Sequence, residues 1–333
     1  MRIETPYLLF LGDAPDALAA KTAQGIRHWR PQACIGQLRL DGCRADCGLP
    51  DMDPAAARAA GARTLVVGVA NRGGVIPEHW VGVFEQALEA GLDVAAGLHD
   101  RLADLPALAA AAERNGRALH DVRHPTRSYP IATGAPRSGH RVLTVGTDCS
   151  CGKMYAALAL EREMRSRGWA VEFRATGQSG ILIAGDGVPV DAVVADFIAG
   201  AIETLAPAAD EAHWDCIEGQ GSLFHPSYAG VSLGLLHGAQ PDALVLCHEP
   251  TRSHLRGLPD YPLPDLEACM DVNLRAARLT SPAVRFVGVA VNTAALAEDE
   301  ARDWLARCEA RLGLPCVDPF RDGVARIVDV LAQ

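Results

Sequence analysis

Short apolar runs alternate with alanine-rich stretches of helical period along the whole chain. YLLFLG (7–12), CIGQLRL (34–40) and TLVVGVAN (64–71) read as strands, and each is followed by a segment of helical pattern. EHWVGVFEQALEAG reads as a helix stopping at Gly91, and DPAAARAAG starts with Asp53 as N-cap and Pro54 in the first turn. DVAAG, LADLPALAAAAERNG and ALHDVR close this half. The alternation then restarts. RVLTVG (141–146), VEFRATG (171–177), ALVLCHEP (243–250) and VRFVGVAVNT (284–293) are strands, and WDCIEGQGS (214–222) is a strand with its exit loop. KMYAALALEREMRSRG (153–168) and VDAVVADFIAGAIETLA (190–206) are helices, and CVDP leads into a last helix near 322–332. Such alternation predicts an α/β protein with parallel sheets covered by helices.

HPTRSYPIATGAPRSGH (124–140) breaks the pattern with three prolines, two glycines and no apolar period. It reads as a linker or strap. The expected organisation is a Rossmann-like α/β domain over 1–123, the linker, and a P-loop α/β domain over 141–333. A chain of 333 residues has room for two domains.

Composition narrows the partners. Apolar residues make up 49% of the chain, and 31 Lys+Arg against 41 Asp+Glu leave a net charge of −10. That balance argues against broad binding to nucleic acid or an anionic membrane, while a local arginine cluster can still hold a small anion. No apolar run is long enough to span a bilayer, and the first one is too short for a signal sequence. Ten cysteines form no CxxC pair and mostly sit in apolar runs, which points to reduced thiols in the cytoplasm. Cys43 and Cys47 are the one suggestive pair, with no His near enough to complete a metal set.

The chemistry concentrates in TVGTDCSCGKMYAALAL. Strand, glycine-containing loop and helix follow in the order a phosphate loop requires. Gly146, Thr147, Asp148, Cys149, Ser150, Cys151, Gly152 and Lys153 are the expected cofactor-binding residues. Two departures from the Walker pattern stand out: Gly146 lies one position early, and Met154 follows the lysine where a hydroxyl would ligate Mg²⁺. A thioether is a poor ligand for a hard cation. The loop is therefore expected to hold a phosphate-bearing molecule such as coenzyme A without hydrolysing a nucleotide, and no metal site or Mg²⁺ is expected. Gly12 stands alone after its strand, so nothing suggests NAD. NRGG (71–74) with Arg72 is either a turn or an approach to the second domain's ligand.

GTDCSCGKM is similar to the GTDTxVGKT loop of dethiobiotin synthetase, and CIEGQGS and VAVNT resemble later segments of that enzyme. The resemblance implies a base-reading role for Asn292. A closer resemblance covers nearly the whole chain. TVGTDCSCGKMY, FRATGQSGILIAGDGVPVDAVVADF, WDCIEGQGSLFHPSYAGVSLGLLHG and LVLCHEPTRSHLRG resemble the bacterial D-glutamate N-acetyltransferases, a P-loop family long uncharacterised. This implies transfer of the acetyl group of acetyl-CoA to the amine of D-glutamate. An ATP-dependent ligase or kinase of the dethiobiotin synthetase type is the enzymatic alternative, and a nucleotide- or CoA-binding module the non-enzymatic one.

Acetyl transfer to an amine needs a base, donors at the thioester oxygen and cations for the acceptor's carboxylates. Arg174, Arg252 and Arg256 follow strands, at the edge where such sheets bind ligands, and planar recognition of carboxylates favours arginine. Glu218 ends a strand and is the first candidate base, with His225 and His248 (and Glu249 and His254 beside it) as alternatives. Gln178 and Ser179 in TGQSG are candidate donors, a plain glycine turn being the other reading. Asp148 is expected to face a metal, the substrate amine or a backbone N–H. Cys149 or Cys151 at a helix N-terminus could have a lowered pKa, which would allow an acetyl-cysteine route. The protein is expected to act as a homo-oligomer on small molecules.

Overall fold

The computed structural model describes residues 2–333, apart from the side chain of Arg72, so the expectation placed on that side chain lies outside the described residues. The chain forms two compact units. The first comprises the residues up to Thr126 together with Gly177–Ala192, and the second Arg127–Thr176 together with Val193–Gln333.

The first unit opens with β1 (Tyr7–Gly12), α1 (Lys21–Trp29), β2 (Cys34–Arg39), α2 (Pro54–Ala59), β3 (Thr64–Val67), α3 (Glu78–Glu89), β4 (Asp93–Ala96), α4 (Pro106–Asn115) and β5 (Leu119–Asp121). Its strands are all parallel, in the order β2-β1-β3-β4-β5. β1 and β3 are buried along their whole length, as strands covered on both faces must be. Phe10 meets Trp80 and Phe84 edge-on at 5.1 and 5.0 Å, and Trp80 Nε1 donates to Asp13 Oδ1 at 3.0 Å. The cap expected at Asp53 is present, its Oδ1 accepting from Ala56 N at 2.7 Å, a contact worth about 1 kcal/mol.

The second unit starts with β6 (His140–Gly146), α5 (Lys153–Ser166) and β7 (Val171–Arg174). The chain then returns to the first unit for α6 (Gln178–Ala184), which packs on α1 and is tied by the Ile3 N–H donating to Gly185 O at 2.7 Å. Back in the second unit follow α7 (Ile198–Leu205), β8 (Trp214–Ile217), α8 (Ala229–Ala239), β9 (Ala243–His248), the β10–β11 hairpin (His254–Leu255 and Leu258–Pro262), α9 (Leu266–Ala277), β12 (Arg285–Val291), α10 (Glu298–Leu312), β13 (Cys316–Val317) and α11 (Ala325–Leu331). Six strands make a parallel sheet in the order β13-β12-β9-β6-β8-β7, with the phosphate-loop strand β6 in the interior. None of the described helices is long and apolar enough to cross a membrane.

Three expectations change. The helix read over 190–206 covers only Ile198–Leu205, because the chain crosses between units at Ala192 and the segment before α7 is spent on single 3-10 turns. TGQSGILIAG, read as a possible turn, holds α6, whose residues after Gly177 join the first unit. The stretch read as a linker or strap is, over 127–140, a strap of the second unit. Thr133 N and Gly134 N donate to the Glu203 carboxylate at 2.9 and 2.8 Å, and the half-buried guanidinium of Arg137 bonds the carbonyls of Glu203, Ala206, Gly238 and Ala239. Gly200 allows this, since a Cβ there would lie 1.9 Å from Pro130 O.

Arg137→Ala would leave these carbonyls short of donors, at about 1–3 kcal/mol for each one left buried and unsatisfied. A urea titration followed by tryptophan fluorescence should show the second unit unfolding at a clearly lower midpoint. An unchanged midpoint would mean that the strap contributes nothing.

Candidate functional site

The phosphate loop leaves the carboxyl end of β6 and enters α5 through two left-handed residues, Ser150 (φ 53°) and Gly152 (φ 102°). Its interior has no room for side chains at two glycines. A Cβ on Gly146 would sit 2.7 Å from Cys151 Sγ and 3.0 Å from Lys153 Nζ, and one on Gly219, after β8, would sit 1.7 Å from Thr144 O. Lys153 is buried and its Nζ donates to Asp148 O at 2.7 Å, which places the ammonium within the loop. Thr144 Oγ1 accepts from Gly219 N at 2.9 Å and lies 3.2 Å from Lys153 O, so β8's exit and the start of α5 are pinned to one hydroxyl.

Asp148 faces backbone N–H groups and an arginine. Its buried carboxylate accepts from Cys149 N at 2.7 Å, Arg256 N at 2.8 Å and Arg252 Nη1 at 2.9 Å. Arg252 also donates to Cys149 O at 2.6 Å and Ser150 O at 2.9 Å, while its Nε pairs with Glu249. The fork is thus spent on the loop's own carbonyls, which makes Arg252 a clamp on the phosphate loop where a substrate contact was expected. Arg256 remains exposed, with Nη1 on Ser150 Oγ.

Arg174 is committed as well. It pairs with the buried Asp215 at 2.6 Å and with Glu172 at 2.6 Å, so the carboxylate clamp expected of it is already filled by the protein's own acids. His213 Nε2 lies 3.1 Å from the same Asp215 oxygen. Glu172, His213 and Asp215 are close enough to share a cation, but the arginine occupies that role. Asp148, Cys149 and His225 form a second close group. Asp148 is spent on Arg252 and Arg256, and both His225 nitrogens are engaged. Ser227 N donates to Nδ1 and Nε2 bonds Arg256 O, each at 3.2 Å, which holds the ring as a structural link between the two loops.

His248 closes β9, buried, with Nδ1 3.0 Å from Thr147 Oγ1 and its ring stacked on Trp304 at 5.3 Å. Burial lowers its pKa from 6.5 to about 4, so at neutral pH it is an uncharged prop for Thr147. The lowered thiol pKa expected at the helix start is not found at Cys149, where burial raises it. Cys151 is buried, its thiol donating to Asp148 O. Glu218 is buried at the end of β8. One carboxylate oxygen accepts from Thr176 N at 2.9 Å and the other from Gln220 Nε2 at 3.2 Å.

Asn292 lines a cavity of about 120 Å³ next to Cys151 and Gly152, with Tyr155, Asp318 and Phe320. The Tyr155 and Phe320 rings are 5.1 Å apart, and buried Asp318 accepts from Thr293 N and Phe320 N, which sets the turn that presents Phe320. Tyr155, Asp318 and Phe320 escaped the sequence reading. An exposed aromatic after a CVDP turn was the only signal. Gln178 and Ser179 belong to the first unit.

Residues 130–328 match the family description "Domain of unknown function (DUF1611_C) P-loop domain", and residues 38–125 match "Domain of unknown function (DUF1611_N) Rossmann-like domain". The chain belongs to the DUF1611 family. Two relatives, both named D-glutamate N-acetyltransferase, are similar over their full length. One from Tritonibacter scottomollicae is 61% identical over 99% of each chain, and one from a Pseudoalteromonas species is 48% identical over 98% of this chain and 99% of its own. The crystal structure of a DUF1611 protein from Anabaena variabilis superposes with a TM-score of 0.83 at 33% identity, covering 99% of this chain and all of that one.

Two expectations follow for this DUF1611 chain. Arg252→Lys keeps the charge but not the fork, so the loop carbonyls lose their donors. The Kd for acetyl-CoA, measured by calorimetry, should rise at least tenfold, and an unchanged Kd would show that the clamp does not shape the loop. His248 is neutral in the fold down to about pH 4, whereas in the unfolded chain it protonates near 6.5. Its contribution is therefore complete above pH 6.5 and is lost as the pH falls towards 4, on the order of 3 kcal/mol in all. In chemical unfolding at pH 7 and pH 4.5, His248→Asn should lose less stability on acidification than the wild type. Parallel losses would contradict this.

Proposed function

We propose that the protein is a D-glutamate N-acetyltransferase, moving the acetyl group of acetyl-CoA to the amine of D-glutamate. The observation that carries this reading is the 61% and 48% identity, over essentially the whole chain, to relatives of that name. The second unit offers chemistry to match. The loop N–H groups, Lys153 and the exposed Arg256 suit the phosphates of coenzyme A, and the Asn292–Tyr155–Phe320 cavity suits its adenine, an aromatic ring beside an amide.

Glu218 is the proposed base. The acceptor's ammonium must lose a proton before its nitrogen attacks the thioester carbonyl. A buried carboxylate oriented by Thr176 N and Gln220 suits that task. The C–N bond then forms and the C–S bond breaks; of the two protons the nitrogen gives up, one passes to the departing thiolate and the other to solvent. His225 is a poorer choice because both its nitrogens are engaged, and His248 because its Nδ1 is spent on Thr147. No step calls for Mg²⁺, and Met154 supplies no hydroxyl for one, which separates this reading from an ATP-dependent ligase. The proposal includes a cytoplasmic location and a homo-oligomer. The ten unpaired thiols are in keeping with a reducing compartment.

The test is a thiol-release assay with acetyl-CoA and a panel of D- and L-amino acids. D-Glutamate should give one CoA thiol per N-acetyl product, with EDTA leaving the rate unchanged. An EDTA-abolished rate restored by Mg²⁺ would favour the ligase reading. Lys153→Ala should weaken acetyl-CoA binding by about 1.5–3 kcal/mol without a matching change for the acceptor. Glu218→Gln should lower kcat by about 10²-fold or more. A wild-type kcat in that variant would remove Glu218 as base.

A further inference from the structure

The strand order of the first unit, β2-β1-β3-β4-β5, reverses direction between β1 and β3, and sheets of this kind bind ligands outside the carboxyl ends at that reversal. A pocket of about 320 Å³ lies there, within the first unit. Its walls are the segments after β3, β4 and β5 and the starts of α1 and α6. None of the established relationships assigns it a role.

The lining is polar and one-sided in charge. Lys21, His99 and Arg123 line it and, among the described residues, no carboxylate does, in a protein whose net charge is −10. Lys21 has no ion-pair partner among the described residues. Arg123 Nη2 is 3.5 Å from Asp191 Oδ2, a long contact to a half-exposed acid. Asn71, on the pocket wall, donates from Nδ2 to Val75 O at 2.7 Å, which fixes its amide and leaves Oδ1 buried with no donor. A buried acceptor without a donor is costly unless a ligand N–H supplies one. Two glycines keep the space open. A Cβ on Gly74 would lie 2.6 Å from His99 N, and one on Gly97 would lie 3.1 Å from the Gln178 Cβ that approaches it.

We propose that this pocket binds an acidic amino acid, its carboxylates on Lys21 and Arg123 and its α-nitrogen on Asn71 Oδ1. The inference rests on the transferase reading and gives the acidic acceptor a holding site in the first unit. Gln178 and Ser179 then serve as lining donors, a role consistent with the substrate contact expected of them.

The test titrates D-glutamate, glutarate and inorganic phosphate into the full chain without acetyl-CoA. D-Glutamate should bind, glutarate should bind more weakly for want of the nitrogen, and phosphate should not compete. In the Lys21→Met/Arg123→Met variant the D-glutamate Kd and KM should rise at least tenfold, with the KM for acetyl-CoA unchanged. On the wild type, the amide resonances of Gly73, Gly74 and Gly97 should shift on adding D-glutamate, a readout that survives if the variant fails to fold. Unchanged D-glutamate affinity in a folded variant, shifts confined to Gly146–Lys153, absent D-glutamate binding, or equal competition by phosphate would each overturn the assignment. A wild type that binds D-glutamate here yet releases no CoA thiol would sink the transferase reading and leave the pocket standing.

Discussion

The second unit depends on one ion pair, Asp148 with Arg252. A loop meant to receive phosphate must aim its N–H groups at the ligand and dispose of its carbonyls elsewhere. Arg252 takes two of those carbonyls, at Cys149 and Ser150, and is held in turn by Asp148 and Glu249. An acid inside a phosphate loop would repel the ligand if it were unpaired. Here its charge is neutralised by the guanidinium, and its remaining lone pairs take backbone N–H groups. The same pairing explains why two distant stretches, 146–153 and 248–256, carry so many ionisable side chains. They form a single structural knot.

Around that knot the apolar design is simple. Both large sheets are parallel with buried inner strands, so the polar ends of their strands are the places where chemistry can surface. A net charge of −10 spread over the chain does not prevent local positive regions, because exposed charges beyond about 10 Å are largely screened at ordinary ionic strength. Lys153 with Arg256, and Lys21 with Arg123, are such regions.

Much of this was legible in the sequence. Periods of apolar residues placed the strands, Asp53–Pro54 marked its helix start, and the glycine–lysine spacing located the loop. Three kinds of feature were hidden. The pairing state of an arginine depends on strand neighbours: Arg174 meets Asp215 across a lateral register, Arg174 opposite Ile217, that no local pattern reveals. The tautomer of His225 is set by Ser227 N and Arg256 O, one of them thirty-one residues away. The strap around Arg137 looked like a linker because proline and glycine remove helical period, whereas its order comes from side-chain bonds to the backbone of other elements.

The excursion of the chain into the first unit for α6 has a consequence for how the protein can be divided. The polypeptide crosses between units three times, after Thr126, Thr176 and Ala192. Cutting at the first crossing, where the composition invites it, would strip the amino-terminal fragment of a helix that packs on α1 and leave that helix stranded in the other piece. The halves are therefore not interchangeable cassettes. Gene fusion or shuffling at that junction would have to carry the returning segment along, which ties the inheritance of the two units together.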